Sequence, residues 1–283
     1  DDDLRRQSRG PHGPNTLVVG AERHHYNTSK TCRSARRTEP LKIASIRTHV
    51  VGDVRNFFFV VVETDNGIQG VGEGGITWRE AAMQGFVEAL TPSLLGQDPL
   101  RTEHLWQVMF RCGFFPPGRT GAAALSAIDI ALWDIKAKHF GVPLYQLLGG
   151  LVRERVVCYP HIAAGDVAGL AAQARERVAS GWRFVRFDLP SQGKILEPRQ
   201  AVRDGVEHVS AVRDAVGPEV EIILDVHTRL DPADAVTLCR ELEPLRPFFV
   251  EDPIRCENLG SLARLNQKVN VPIAMGEHFG SKW

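Results

Sequence analysis

The chain has 283 residues, enough for about two domains of ~150 residues each. Its 34 Lys and Arg balance 34 Asp and Glu, which removes any global pull toward nucleic acid, an acidic polymer or a membrane surface. Hydrophobic residues at 43% and charged residues at 24% fit a globular chain, and no apolar run approaches the ~20 residues of a membrane-spanning helix.

Residues 1–40 are rich in Arg, His, Gly, Asn and Ser, with Leu17-Val18-Val19 as the only apolar run. Such a segment buries too little surface to offset its ordering entropy, so a disordered or non-native tail is expected there. The Asp1-Asp2-Asp3 opening fits a chain whose written start is not a natural one. Five Cys (Cys32, Cys112, Cys158, Cys239, Cys256) are widely spaced and include no C-x-x-C pair. Free, mostly buried thiols in a reducing, cytoplasmic compartment are expected, without a disulfide framework or a zinc ribbon. The N-terminus carries no apolar h-region of a secretory signal.

Residues 43–51, 57–64 and 69–73 read as three antiparallel strands, the last two joined by the tight-turn signal Asp65-Asn66-Gly67. Helices are expected over 80–94, 101–110 and an Ala-rich 122–139, which Gly141-Val142-Pro143 stops. A short helix over 144–148 ends in Gly149-Gly150. Together these predict an α+β domain over 41–150. Beyond Gly150 the pattern alternates. Strands are expected at 155–160, 183–188, 221–225, 247–251 and 272–276, with helices near 166–179, 199–216, 231–243 and 257–268. Alternating βα units imply a parallel sheet, and a (β/α)8 barrel keeps its chemistry at the C-terminal strand ends.

Three of those ends look alike. Ile222-Ile223-Leu224 ends in Asp225, Phe248-Phe249-Val250 in Glu251, and Pro272-Ile273-Ala274-Met275-Gly276 in Glu277, 26 residues apart each time. Any one of them alone reads as an exposed loop acid. Three at one register should converge on one rim, where they would repel unless a cation sat between them. Oxygen donors of this kind suit a hard divalent ion, Mg2+ being the usual choice. His227 follows Asp225 by two and should face the same pocket as a general acid or base, unless it is a fourth ligand or structural. Arg186 and Asp188 alternate with apolar residues in Phe184-Val185-Arg186-Phe187-Asp188, so both point one way. Arg186 either binds a substrate carboxylate or holds Asp188 as an ion pair. His278 is expected to point away from the metal, as a substrate contact.

The stretch from Leu224-Asp225-Val226-His227 to Val250-Glu251-Asp252-Pro253 resembles the barrel signature of the enolase superfamily, mandelate racemase/muconate lactonizing subgroup. The run from Ala124-Leu125-Ser126-Ala127-Ile128-Asp129 through Leu132-Trp133-Asp134-Ile135-Lys136 to Leu147-Leu148-Gly149-Gly150 resembles its other signature. Gly96-Gln97-Asp98-Pro99, Leu105-Trp106-Gln107-Val108-Met109 and Glu241-Leu242-Glu243-Pro244-Leu245-Arg246-Pro247 are similar to its acid-sugar dehydratases, the galactonate type above all. The resemblance implies a capping domain over a barrel mouth, with specificity from loops such as 51–56 and 74–78.

It also implies dehydration of an aldonate to a 2-keto-3-deoxy acid. Mg2+ held by Asp225, Glu251 and Glu277 would bind the substrate carboxylate and stabilise an enediolate, while His227 protonates the departing 3-hydroxyl. The partner implied is a small sugar acid, with neither nucleic acid nor membrane, in a homo-oligomer. A racemase or epimerase of the same superfamily, or a non-catalytic sugar-acid binding relative, are the alternatives. The racemases carry Lys-x-Lys where this chain has Arg186 and Asp188, and arginine is a poor base. Mannonate dehydratases use an Arg and a Tyr here, and no Tyr follows Tyr159. The dehydratases take their base from a late barrel His. The 133 residues after Gly150 are about half of the ~250 in a complete barrel, so a C-terminally truncated barrel over 151–283 is expected.

Overall fold

Asp65-Asn66-Gly67 turns the chain between β2 (Phe57–Thr64) and β3 (Gln69–Gly74). Gly67 takes φ 85°, a conformation that favours glycine, and its amide donates to Thr64 O at 3.0 Å. Asn66 Oδ1 accepts from the Thr64 hydroxyl at 2.7 Å, so the turn is held by side chain as well as backbone. β2 also pairs antiparallel with β1 (Ile43–Val51), giving the sheet order β1-β2-β3. Along β2, Phe58, Val60, Val62 and Thr64 are buried, the period-two signature of a sheet with one covered face. The structure, a computed structural model, describes residues 40–190 and 197–282. The tail expected over 1–40 therefore lies, apart from Pro40, outside the described residues.

Three helices follow: α1 (Glu80–Leu94), α2 (Thr102–Phe110) and α3 (Gly118–Phe140). In α1, Met83, Val87, Leu90 and Leu94 recur at helical spacing and are buried. The third helix begins about one turn earlier than the sequence predicts, at Gly118, with Pro117 in the N-cap position. It ends at Gly141, which takes φ 65° and donates to Lys138 O, while Val142 donates to Ala137 O. The Ala-rich face of α3 lies directly on β3, and Asp134 Oδ2 accepts from the Val71 amide at 3.0 Å. A short helix α4 (Leu144–Leu147) completes this layer.

The second half alternates as predicted: α5 (Val167–Ala179), β4 (Phe184–Asp188), α6 (Pro198–Val216), β5 (Glu221–Asp225), α7 (Pro232–Leu242), β6 (Phe249–Glu251), α8 (Leu259–Asn266) and β7 (Ile273–Ala274). Helix starts carry the expected chemistry. Asp166 Oδ1 caps α5 by accepting from Gly169 at 2.7 Å, and Pro198 and Pro232 open α6 and α7. The strands form a parallel sheet in the order β4-β5-β6-β7. Its core includes Val185, Phe187, Ile222, Leu224, Val250 and Leu238, each 1% exposed or less. This is part of a (β/α)8 barrel, as expected.

The strand expected at 155–160 is a correction. That segment forms only an isolated parallel bridge at His161 to Arg186, through Arg186 N to Pro160 O at 3.1 Å and Ile162 N to Arg186 O at 2.8 Å. Two bonds do not make a ladder, Pro160 has no amide to extend it, and Val152, Val156 and Val157 stand exposed. The parallel sheet therefore has four strands among the described residues, against the five expected. The cysteines also differ from expectation: Cys239 and Cys256 are buried, but Cys112 and Cys158 are exposed. No helix among the described residues is long and apolar enough to cross a membrane.

Candidate metal and substrate site

Strand register builds the site. Asp188 on β4 pairs with Asp225 on β5, and Asp225 with Glu251 on β6, so three carboxylates form one row across the sheet. Residues in register on parallel strands share a face, and Arg186, two before Asp188, shares it as well. The Arg186 guanidinium lies among all three acids. Its Nη2 pairs with Asp225 Oδ2, its Nε donates to Glu251 Oε2 at 3.1 Å, and its Nη1 reaches Asp188 Oδ1 at 3.4 Å. Burial works against its charge, but Glu251, Asp225 and Asp188 outweigh that and hold its pKa above the ordinary arginine value. The two sequence options for Arg186 thus narrow. It is an ion-pair partner of Asp188, and still more of Asp225 and Glu251.

Glu251 is partnered on the next strand by Ala274, so Glu277 falls three residues past the row. The expectation that equal 26-residue spacing gives equal register is corrected here. Glu277 instead sits in a turn closed by Phe279 N to Gly276 O at 3.0 Å, with Gly276 at φ 158°. Its neighbours are His278, whose Nε2 is 3.5 Å from Glu277 Oε1, and Asp252, whose Oδ2 is 3.8 Å from the same His278 nitrogen. His278 therefore lies beside two acids, Glu277 and Asp252.

Among the described residues, two groups bring possible ligand atoms within 4.8 Å of one another: Asp188, Asp225 and His227, and Asp252, Glu277 and His278. His227 reaches the first group by a route that strand alternation does not describe. β5 ends at Asp225, and His227 takes φ 53°, a left-handed conformation that costs about 1–2 kcal/mol in a non-glycine residue. Its amide donates to Asp225 Oδ1 at 2.9 Å, and its Nε2 lies 3.0 Å from Asp225 Oδ2. On the far side its Nδ1 is 4.0 Å from Asp188 Oδ2, and Asp188 Oδ1 also meets His161 Nε2 at 3.2 Å.

Asp252 is a functional candidate that the sequence pattern alone does not single out. It is buried, takes φ 41°, and neither carboxylate oxygen has a hydrogen-bond partner. Burial, the facing Glu277 carboxyl and the charges of Asp225 and Glu251 push its pKa up to about 7. Burial also raises Asp225, against the pull of the His227 amide and imidazole and of Arg186. The signal in the sequence is a second acid directly after Glu251 at an apolar strand end. A buried carboxylate with no hydrogen-bond donor suits the charge of a cation, and the groups around it are oxygens and imidazoles without a thiolate. The residues present thus fit a hard divalent ion.

A cavity of about 1050 Å3 opens beside these groups, lined by His227, Glu277 and His278 below and by α2, α3 and the 75–79 segment above. Of the two loops expected to set specificity, 74–78 contributes to its wall through Gly75–Trp78, whereas 51–56 does not. Asp129 of α3 also lines it, and burial together with the Glu103 charge raises Asp129 to about 6 from an ordinary 3.8. A carboxyl raised on folding contributes stability that is present below pH 3.8 and lost as pH climbs through about 6. Asp129→Asn is therefore expected to stabilise the chain by about 1 kcal/mol at pH 8, after allowing for solvent screening, and to change little at pH 4. Thermal melts of both proteins across that range check it; a gain independent of pH would overturn it.

Residues 169–283 match the family Enolase C-terminal domain-like, and residues 27–149 match Mandelate racemase/muconate lactonizing enzyme, N-terminal domain. The chain belongs to the enolase superfamily. It is 32% identical to a member of that superfamily from Salmonella Typhimurium, with a TM-score of 0.78, covering 84% of this chain and 68% of that one. An enolase from Pantoea ananatis with bound D-gluconate and Mg is 30% identical, with a TM-score of 0.77 and coverage of 85% and 66%. Over 243 residues the chain is 39% identical to the D-galactonate dehydratase of Verminephrobacter eiseniae (strain EF01-2), 86% of this chain and 63% of that protein. It spans about three fifths of the length of the curated relatives it matches. The two solved structures share the fold of this chain.

Proposed function

We propose that this chain carries the cation site of a Mg2+-dependent sugar-acid dehydratase, a hydro-lyase acting on an aldonate such as galactonate to give a 2-keto-3-deoxy acid. The observation that carries this is the Asp225–His227 pair. An imidazole 3.0 Å from a buried strand-end carboxylate, beside a second carboxylate in register, joins a proton donor to a cation ligand. The likeness to D-galactonate dehydratase and to a gluconate- and Mg-bound neighbour supports that choice of substrate class and ion.

Asp225, Glu251 and Glu277 are the proposed ligands, with Asp252 behind them. When bound, the ion would supply positive charge to a substrate carboxylate, so that negative charge developing there as the neighbouring carbon loses its proton is stabilised. Asp225 holds His227 through two contacts, so the imidazole keeps one face to the cavity and one to its carboxylate. From there His227 delivers a proton to the leaving hydroxyl. Arg186 balances the row of acids and offsets the repulsion between Asp225 and Asp188. Asp188 and His278 flank the substrate. The buried Cys239 and Cys256 thiols, both free, fit a cytoplasmic setting.

Incubation with D-galactonate, D-gluconate and other aldonates in Mg2+ tests this, reading keto-acid product. The expected result is product from at least one aldonate in the whole protein, abolished by EDTA. Deuterium exchange beside the carboxylate without loss of water would favour a racemase instead, and sugar-acid binding with neither would favour a non-catalytic relative.

A further inference from the structure

Arg119 stands at the start of α3, in the upper layer, yet its guanidinium ends among loops of the parallel sheet. Its Nη2 donates to Cys256 Sγ at 2.6 Å, and the Cys256 thiol in turn donates to the His278 carbonyl at 3.6 Å. Cys256 is 6% exposed and follows β6, while His278 is a corner residue of the turn that carries Glu277. Arg119 and His278 are both wall residues of the cavity of about 1050 Å3 and of a second one of about 300 Å3, which Cys256 also lines. The start of α3 also rests on this turn, since a Cβ placed on Gly280 would come 3.6 Å from the Ala122 methyl carbon.

Two features single this contact out. Among the described residues Arg119 makes no ion pair within 4.0 Å, although it is a charged side chain in an acid-rich region. Its Nη1 is buried with no hydrogen-bond partner. Arg119 is half-buried and its charge acts on Glu257, beside Cys256, so the cost falls on the one buried N–H group left unmet, which marks a side chain held in a fixed place. The row of Asp188, Asp225 and Glu251 is fixed by ladder hydrogen bonds. Glu277 is not, because it lies beyond the register of β7 and its side chain is 60% exposed. Something other than the sheet must fix it.

We infer that Arg119 and Cys256 form a strut from α3 that positions the Glu277–His278 turn, so that cation affinity at the strand ends is set partly from the upper layer. This rests on the proposed role of Glu277 as a ligand. Arg119 and Cys256 are positioning residues, since neither reaches the acids itself. A thiol suits this position because it accepts from the guanidinium and donates to the carbonyl, so the two hydrogen bonds run in series through one atom.

The test is Mg2+ titration of the full chain by calorimetry, with thermal melts of the metal-free proteins as the measure of folding. Arg119→Ala and Cys256→Ala are each expected to weaken Mg2+ binding about tenfold, and the double variant no further, because both break one strut. Cys256→Ser, which keeps an acceptor and a donor, should restore most of the affinity. Wild-type affinity in Arg119→Ala alongside weakened binding in Glu277→Gln would overturn the strut and leave the cation site standing. Additive losses in the double variant would also overturn it. A wild-type chain with no saturable Mg2+ binding would overturn the proposed cation site and the strut with it.

Discussion

Asp225→Asn should abolish saturable Mg2+ binding while leaving the chain folded, and should lower turnover of the whole protein by about 10³-fold or more. The substitution keeps size and shape. Asn Oδ1 still accepts the His227 amide that Asp225 Oδ1 accepts now at 2.9 Å, so the left-handed turn keeps its local anchor. What disappears is charge at the centre of the row. Asp225 is 1% exposed and lies between Asp188 and Glu251 in register, with Arg186 and His227 both on its Oδ2. A cation loses its most buried ligand, and the imidazole loses the carboxylate that orients it. Arg186 keeps Glu251 and Asp188, so the guanidinium is not left alone in the interior. Calorimetric titration and the Mg2+-dependent rise in melting temperature are the measurements. Binding equal to wild type in this variant would remove Asp225 from the ligand set and move the cation toward Asp252, Glu277 and His278.

The elements of this fold are legible where local chemistry and tertiary packing agree. The turn at Asp65-Asn66-Gly67, the stop at Gly141 and the apolar strands ending in Asp225 and Glu251 each state their structure within a few residues. Sequence and structure part where the answer depends on a partner strand. Residues 155–160 have the apolar content of a strand, but β4 pairs with the backbone at 160–162 and leaves Val156 and Val157 in solvent.

Equal spacing of Asp225, Glu251 and Glu277 counts helices and loops together, and loop lengths can shift register without changing the total. The register therefore puts Asp188, and not Glu277, in line with the other two. His227 faces Asp225 as alternation suggests, yet by a positive φ that no periodicity rule contains. Asp252 and Arg119 do not stand out in the sequence for a related reason. Each carries a buried polar atom without a hydrogen-bond partner, and that is a property of the packed structure alone.

Gly72→Ala is expected to destabilise the chain by about 3 kcal/mol or more, the upper end for adding a single methyl group. The cause is the closeness of α3 to β3. A Cβ on Gly72 would lie 1.9 Å from the Ala127 carbonyl oxygen, and one on Gly70 would lie 2.0 Å from the Ala131 carbonyl oxygen. Both obstacles are helix backbone, which cannot rotate aside as a side chain can. The helix would have to lift from the sheet, opening the contact that buries Ala127, Ile128, Ala131, Leu132 and Ile135. It would also strain the Asp134 bond to the Val71 amide.

Gly85→Ala in α1 is the matched control. Its added methyl meets nothing within 4 Å, so it should stabilise the chain by up to about 1 kcal/mol through helix propensity. Urea unfolding of the three proteins decides the matter, with the midpoint falling in Gly72→Ala at an unchanged slope. The same helix carries Arg119 and Asp129 into the cavity wall, so lifting it displaces the strut along with the core. Gly72→Ala should therefore weaken Mg2+ binding even under conditions where it is still fully folded. An unchanged midpoint would mean that the helix yields freely at this contact, and that the upper layer cannot hold the Glu277 turn as rigidly as the strut requires.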